Sequence, residues 1–263
     1  MKNLFENLKS QNRAGLVLYV SCGDPSISFT EKLIERVCSA GADIIELSVP
    51  FSDPVAGGKT IQTSNARAIA NGCNLQSIFD MVVRLRNKGV DKKFVLFSYY
   101  NPIFKYGVAK AAEVSAKVGV NSWLIVDVPM EESNEVTSEL SKYGIDFIPL
   151  ATTTSSLERI AEISKCGSGF IYYADAAGTR DSLPDELLAK IENVRKISVL
   201  PVAVGLGISS GEMATKVAEY SDAVMVVNKF VEIVNDSLDS KGEDYALDCA
   251  EKFVSDLSRA MSK

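Results

Sequence analysis

The stretch that decides the fold covers residues 42–62 and reads A-D-I-I-E-L-S-V-P-F-S-D-P-V-A-G-G-K-T-I-Q. It begins with a short apolar run at residues 44–49, the length expected for a parallel strand that is buried on both faces. Pro50 and Pro54 end regular structure, and the Ser, Asp and Gly residues around them predict a long loop. The sequence therefore predicts a buried strand whose carboxyl end opens into a loop.

One carboxylate, Glu46, interrupts this apolar run. An ionised carboxylate that is buried without a partner costs several kcal/mol, so Glu46 must be paired, hydrogen-bonded or kept protonated. Two interpretations follow from the residue alone, a structural ion-pair partner or an acid/base group. The loop that follows predicts a partly buried position near the mouth of the fold. Burial there would raise the pKa of Glu46, which suits proton transfer near neutral pH.

Strands and helices alternate along the rest of the chain. Apolar runs predict further strands at residues 16–20, 94–98, 123–126, 147–150, 170–173, 199–204 and 223–227. Helical spacing predicts helices at residues 30–40, 61–71, 75–88, 110–118, 132–142, 157–165, 184–195, 211–219 and, with a polar interruption, 229–263. Eight consecutive strand–helix units predict an α/β fold, a closed (β/α)₈ TIM barrel with an extra N-terminal helix and a single domain over residues 1–263. The alternative is an open doubly wound sheet, which normally has fewer strands and a glycine-rich turn after the first.

Composition excludes several classes of function. The chain has no histidine, so Ser-His, Cys-His and His-metal mechanisms are excluded within it. Its five cysteines show no C-x-x-C spacing, which argues against a zinc site or a disulfide framework, and we expect no bound metal. The net charge of −6 is spread along the chain and favours no nucleic-acid surface. Without a signal peptide or membrane span, we expect a cytoplasmic protein.

The residues after Glu46 resemble a known family. The run E-L-S-V-P-F-S-D-P, followed by G-G-K-T-I-Q, resembles the signature of the tryptophan synthase alpha chain, which is close to E-L-G-x-P-F-S-D-P-x-A-D-G-P-x-I-Q. G-D-P at residues 23–25, Y-Y-N-P at 99–102 and D-V-P-M-E-E at 127–132 follow in the family's order. The resemblance spans nearly the whole chain and weakens after Ser168. It implies the retro-aldol cleavage of indole-3-glycerol phosphate to indole and glyceraldehyde 3-phosphate.

The resemblance assigns roles to two positions in this stretch. Glu46 matches the family's general acid/base, which protonates indole C3 and takes the proton of the side-chain hydroxyl. Gly57 occupies the position of the aspartate that faces the indole N–H, and Lys59 replaces the proline of the pattern. Glycine has no acceptor, and the loss of one general base typically costs ~10²- to 10⁴-fold in rate. The resemblance therefore implies impaired intrinsic catalysis.

The carboxyl ends of the strands supply the remaining candidates, because a barrel builds its site from the loops that follow them. We expect an apolar pocket for an aromatic ring and a phosphate cradle, although Phe51, Tyr99, Tyr172 and Leu206, each taken alone, are more often plain core residues. The predicted substrate-binding residues are Tyr19, Phe51, Tyr99, Tyr172, Gly178, Arg180, Gly205, Leu206, Gly207 and Asn228.

The phosphate positions depart from the family pattern. The glycines of V-G-L-G-I-S at residues 204–209 suit a cradle of backbone N–H groups. The family's S-x-x-G-x-T-G loop, however, reads D-A-A-G-T-R-D at residues 175–181, and its later G-S has become V-N. Asp181 would repel a phosphate and Val227 adds bulk, whereas Arg180 would pair with the anion. We therefore expect weak phosphate binding.

The resemblance also implies a partner, a beta chain that holds pyridoxal phosphate and joins indole to serine in an αββα heterotetramer; no cofactor is expected in this chain. The expected partner-binding residues, which match the family pattern, are Pro50, Asp53, Asn101, Pro102, Phe104 and Pro129, with residues 101–104 in a loop. Two hypotheses follow: a lyase subunit with impaired catalysis, or an inactive subunit that allosterically activates the beta chain. An unrelated barrel aldolase or isomerase is a third, but the strand ends offer no Schiff-base lysine or metal cluster.

Overall fold

A computed structural model of the chain describes residues 1–175 and 183–262, and within them nine strands pair in parallel. The strands are β1 (Gly15–Ser21), β2 (Ile44–Ser48), β3 (Lys93–Ser98), β4 (Ser122–Ile125), β5 (Asp146–Phe147), β6 (Leu150–Thr152), β7 (Ile171–Ala174), β8 (Val202–Gly205) and β9 (Ala223–Val226). Their hydrogen-bonded order is β5-β4-β3-β2-β1-β9-β8-β7-β6, and every pair is parallel. Parallel neighbours need crossover connections, which the helices provide.

The two ends of this order, β5 and β6, are separated along the chain only by Ile148 and Pro149. The N–H of Ile148 donates to the carbonyl oxygen of Trp123 at 2.7 Å on one side. The carbonyl oxygen of Pro149 accepts from the N–H of Tyr172 at 2.9 Å on the other. The strand predicted at residues 147–150 is thus divided, because proline has no N–H for the ladder. The chain itself joins both edges, and the sheet closes as the predicted (β/α)₈ barrel.

Twelve helices lie in the described part of the chain. They are α1 (Lys2–Ser10), α2 (Ile27–Ser39), α3 (Lys59–Ala70), α4 (Leu75–Asn87), α5 (Tyr100–Tyr106), α6 (Val108–Val118), α7 (Asn134–Ser141), α8 (Leu157–Cys166), α9 (Asp185–Ile197), α10 (Gly211–Tyr220), α11 (Asn228–Lys241) and α12 (Glu243–Met261). Several begin at a side-chain cap that the local sequence supplies. The Ser26 hydroxyl oxygen accepts from the N–H of Phe29 in α2, and Asn74 and Ser77 form a capping box on α4.

Alternate residues of each strand fill the barrel interior. On β2, Ile45 and Leu47 pack against the helices outside, and Ile44 packs inside. Because side chains alternate with a period of two, Glu46 and Ser48 also point inward. The interior is therefore a stack of layers, with Ile44 at the amino end of β2 and Ser48 at its carboxyl end.

The amino-terminal end of the barrel is plugged by the extra helix α1. Phe5 and Leu8 of α1 are buried in the same cluster as Val17 and Ile44 of the barrel interior. The ring of Phe5 packs against that of Phe170, with 5.7 Å between centroids. This end is closed, so the carboxyl ends of the strands form the accessible face.

Two segments differ from the sequence-based expectation. The stretch at residues 101–104, predicted as a loop, lies in the short helix α5, whose first backbone N–H donates to the Asp127 carboxylate at 2.7 Å. The polar interruption predicted at residues 236–244 shrinks to a single residue, Gly242, between α11 and α12. Gly242 has a positive φ of 83°, which glycine adopts without strain, so one residue suffices to break the helix.

Among the described residues, no helix is long and apolar enough to cross a membrane. The same residues hold no group of three or more Cys, Asp or Glu side chains arranged to bind a metal ion. The division of residues 1–263 into a single domain stays a prediction.

Candidate functional site

A cavity of about 410 Å³ opens at the carboxyl ends of the strands. Inward-facing residues of eight strands and the loops above them line it, and apolar side chains predominate. The lining comprises Tyr19, Ser48, Val49, Pro54, Val55, Ala56, Gly57, Gly58, Ile61, Asn65, Phe97, Tyr99, Leu124, Val126, Leu150, Thr152, Tyr172, Ala174, Asp175, Gly205, Gly207, Ile208, Met225, Val227, Asn228 and Lys229. Its size and lining suit a flat aromatic ligand with a small polar group.

The structure brings most of the predicted site residues to this cavity. Those that line it are Tyr19, Gly57, Tyr99, Tyr172, Gly205, Gly207 and Asn228. Gly178, Arg180 and Asp181 lie outside the described residues.

Two predicted pocket residues lie elsewhere. Leu206 is fully buried in the layer between barrel and helices, because it alternates with the inward-facing Gly205 and Gly207. The ring of Phe51 packs on that of Tyr99 at 5.1 Å between centroids, but it faces a shallow outer depression beside α3. The Phe51 backbone N–H donates to the Asn65 side chain at 3.1 Å, which holds the loop in this orientation.

Glu46 lies below the cavity and does not line it. Its side chain is 0% exposed, which is deeper than the partial burial expected from the sequence. Neither carboxyl oxygen has a hydrogen-bond partner among the described residues. Burial raises the pKa of Glu46 to about 8, as the sequence predicted in direction. This raised pKa favours the protonated form at neutral pH, and no described residue forms an ion pair with Glu46.

Gly57 faces the cavity from the loop between β2 and α3, without a side chain. Its backbone N–H donates to the carbonyl oxygen of Pro54 at 2.9 Å, so the loop is a tight turn at this point. A Cβ atom on Gly57 would stand 2.8 Å from Cγ2 of Ile61 on the first turn of α3. The loop conformation is therefore adapted to glycine, because a larger residue requires Ile61 to move.

Charged groups also line the cavity near β7 and near α11. The Asp175 carboxylate accepts from the Thr153 hydroxyl at 3.0 Å. Lys229, on the first turn of α11, lies 3.6 Å from the Glu232 carboxylate. Among the described residues, no side chain caps the amino terminus of α11, which begins at Asn228. The cavity lining thus includes the Asp175 carboxylate and the Lys229 ammonium.

Several lining residues were missed by the sequence reasoning. The apolar members are Phe97, Leu124, Val126, Leu150 and Met225, and the polar ones are Ser48 and Lys229. The strand residues could have been found from the period of two along each strand. Once Glu46 is placed inward, every second residue of β2 points inward, and so do the residues paired with them on the neighbouring strands. Lys229 follows from no such pattern, since it depends on where α11 begins.

The predicted partner-binding residues fall on three consecutive strand–helix connections on the same face. They are Pro50 and Asp53 after β2, Asn101, Pro102 and Phe104 in α5, and Pro129 after β4. Phe104 is 61% exposed, and Val55, in the same loop as Asp53, is 83% exposed. Large exposed apolar side chains beside a cavity are typical of an interaction surface.

The family model described as tryptophan synthase alpha chain matches residues 5–261. The chain belongs to this family. A tryptophan synthase alpha chain of Citrifermentans bemidjiense is 44% identical over 230 residues, which cover 86% of each chain. One from Methanosarcina barkeri is 37% identical over 263 residues, 97% of this chain and 96% of the other.

Solved structures of the tryptophan synthase alpha family share the whole fold. The tryptophan synthase subunit alpha of Legionella pneumophila superposes with a TM-score of 0.92 at 31% identity, covering 99% of this chain and 97% of the other. A chain of the tryptophan synthase complex of Pyrococcus furiosus superposes with a TM-score of 0.85 at 30% identity, over 93% and 98%. The barrel and the family expected from the sequence are both confirmed.

Proposed function

We propose that this chain is the alpha subunit of a tryptophan synthase, cleaving indole-3-glycerol phosphate by a retro-aldol step with impaired intrinsic catalysis. The observation that carries the proposal is the pair Glu46 and Gly57: a buried carboxyl group with a raised pKa below an apolar cavity, and no carboxylate at position 57 of the loop that lines it. The cytoplasmic location expected from the sequence belongs to the same proposal.

Glu46 supplies the proton transfers of this reaction. Its raised pKa of about 8 leaves the proton on the carboxyl group at neutral pH, ready for transfer to indole C3. The carboxylate that results takes the proton of the side-chain hydroxyl as the carbon–carbon bond breaks and the aldehyde forms. The group ends as it began, and indole and glyceraldehyde 3-phosphate leave without consuming water.

The impairment arises where the indole N–H would need an acceptor. Gly57 offers none, and the nearest described side chain, Ile61, is apolar. A missing general base corresponds to ~10²- to 10⁴-fold in rate, or about 3 to 5 kcal/mol of transition-state stabilisation. Two other lining residues add to the loss, because Asp175 and Val227 meet the substrate phosphate with a negative charge and with bulk.

The partner of the proposal is a beta chain that holds pyridoxal phosphate, in an αββα heterotetramer. The exposed side chains of Phe104 and Val55 beside the cavity support a protein partner there. The second candidate function, an inactive subunit that allosterically activates the beta chain, is favoured by the same Gly57. This second function differs from the proposed one only in that the chain cleaves no indole-3-glycerol phosphate itself.

Steady-state assays of the complex separate these functions. Tryptophan formation from serine is measured with indole-3-glycerol phosphate and, separately, with free indole. We expect the phosphate substrate to be used at least ~10²-fold more slowly than indole, and the alpha subunit to accelerate the reaction with indole. If no cleavage is detected but the alpha subunit still accelerates the reaction with indole, the chain is the inactive subunit that activates the beta chain. Equal rates with both substrates would contradict impaired catalysis, and independent elution of the two chains would contradict the partnership.

A further inference from the structure

A hydrogen bond crosses the barrel interior just above Glu46. Tyr19 on β1 is the register partner of Glu46 on β2, and Ser48 is the next inward-facing residue toward the carboxyl end of β2. The Tyr19 hydroxyl lies 2.6 Å from the Ser48 hydroxyl, and both residues are buried. The Tyr19 side chain therefore leans from β1 over β2, one residue pair above the carboxyl group.

The ring of Tyr19 also contacts a residue of β3. It packs edge-on against the ring of Phe97 on β3, with 5.2 Å between centroids and an angle of 84°. Phe97 is the register partner of Ser48, and Val95 is that of Glu46. Because β2 lies between β1 and β3 in the sheet, the rings of Tyr19 and Phe97 meet over β2, on the carboxyl side of Glu46.

Tyr19, Ser48 and Phe97 lie between Glu46 and the cavity, as their solvent exposure indicates. Tyr19, Ser48 and Phe97 all line the cavity, whereas Glu46 has no exposure and does not line it. Its carboxyl oxygens have no described partner that would pin them in place. Ser48 also stands where the family pattern has glycine, so this chain has a hydroxyl at a position that carries no side chain in the pattern.

We propose that Tyr19 and Ser48 form a cover that separates Glu46 from the cavity, and that their hydrogen bond must break before the carboxyl group can reach a ligand. Both are positioning residues, since they act through Glu46. The inference rests on the proposed acid/base role of Glu46 only for its effect on turnover. The separation itself is a property of the chain that is measurable without substrate.

The electrostatics of the interior agree with a sealed compartment. Among the described residues, the titratable groups that interact with Glu46 are the phenols of Tyr19 and Tyr172, and burial raises the pKa of both. Neither phenol is charged at neutral pH, so no charge among them sets the protonation of Glu46. The protonation of Glu46 then depends on the access of water, and the Tyr19–Ser48 cover controls that access.

Titration of Glu46 tests the cover directly. The carboxyl carbon is followed by NMR across pH in protein labelled with carbon-13 at the glutamate side-chain carboxyl, and Glu46→Gln assigns the signal. Ser48→Gly removes the hydroxyl and its Cβ, and we expect the titration midpoint of Glu46 to fall by at least about one pH unit toward that of a solvated glutamate. Tyr19→Phe keeps the ring and removes only the hydrogen bond, so a smaller fall in the same direction is expected.

Ser164→Ala is the matched control, because Ser164 is a buried serine on α8, outside the barrel interior. The titration midpoint of Glu46 in this control variant should equal that in the wild type. If neither Ser48→Gly nor Tyr19→Phe moves the midpoint, the cover is refuted; if Ser48→Gly does not fold, Tyr19→Phe decides alone. Cleavage of indole-3-glycerol phosphate by Ser48→Gly should rise at least threefold in kcat. A moved midpoint without any cleavage in any variant would uphold the cover and refute the proposed activity.

Discussion

Gly57 faces the cavity without a side chain, and its surroundings limit how a carboxylate can be rebuilt there. The contact of 2.8 Å that a Cβ would make with Ile61 predicts that Gly57→Asp alone displaces the first turn of α3. Ile61 packs with Tyr19 and Val231, so moving it disrupts these apolar contacts. A base moved by about 1 Å loses ~10²-fold of its effect.

We therefore predict only a small gain in cleavage from Gly57→Asp and a larger one, up to ~10²- to 10⁴-fold, from Gly57→Asp combined with Ile61→Ala. Indole release from indole-3-glycerol phosphate with the beta chain present is the measurement. Ile61→Ala alone is the control, and it should give no gain. If the double variant is no faster than that control, an acceptor at position 57 is not what the chain lacks.

The buried carboxyl group of Glu46 links stability to pH. Its folded-state pKa of about 8 lies above the ordinary 4.5, so the folded chain keeps a proton that the unfolded chain releases. The free energy of unfolding should then fall between about pH 4.5 and pH 8, by a few kcal/mol, and level off above. Glu46→Gln should lack this fall, whereas Glu6→Gln, an exposed position, should keep it. Urea unfolding at pH 5, 7 and 9 measures the difference; parallel curves for wild type and Glu46→Gln would contradict it.

At the scale of secondary structure elements, one buried ion pair and its hydrogen bonds join two neighbouring helices that line the cavity. Asp24, after β1, is buried and forms two hydrogen bonds of 2.8 Å with Arg67 of α3. Arg67 donates also to Asn235 of α11 at 2.7 Å, and Asn235 donates to Ser64 of α3 at 3.1 Å. The helices α3 and α11 are thereby joined behind their amino-terminal ends, which line the cavity.

Removing Arg67 leaves Asp24 buried without its partner. We predict that Arg67→Ala lowers the free energy of unfolding by about 3 kcal/mol. Lys117→Ala, which breaks an exposed pair with Glu113 on α6, should lower the free energy of unfolding far less, because solvent screens that pair. Urea unfolding compares the two. Similar costs for both variants would show that the buried pair does not tie the helices together.

At the scale of the whole molecule, the barrel has one plugged end and one end with the cavity and exposed apolar side chains. We predict that Phe104→Asp weakens association with the beta chain at least about tenfold. Val199→Asp is the matched control, because Val199 is 65% exposed but precedes β8 at the plugged end. Calorimetric titration of each variant with the beta chain gives the affinity. Equal affinities for both variants would place the interface elsewhere.

The sequence by itself determined the barrel, the family and the positions of Glu46 and Gly57. Strand periodicity and eight repeated units need only local residues, and the motif around Glu46 is contiguous in the chain. The same periodicity tells which face a residue takes, as for Glu46, but only when the strand boundaries are right, and it failed for the strand that Pro149 divides.

The tertiary structure alone decided how deep these residues lie and what touches them. The complete burial of Glu46 depends on Tyr19 and Phe97, which come from other strands and are far from it in sequence. Phe51 turns outward because its backbone is held by α3, and Ile61 of the same helix closes on Gly57. A side chain's direction along a strand is fixed by local geometry, whereas its depth and neighbours depend on side chains that only the closed barrel brings together.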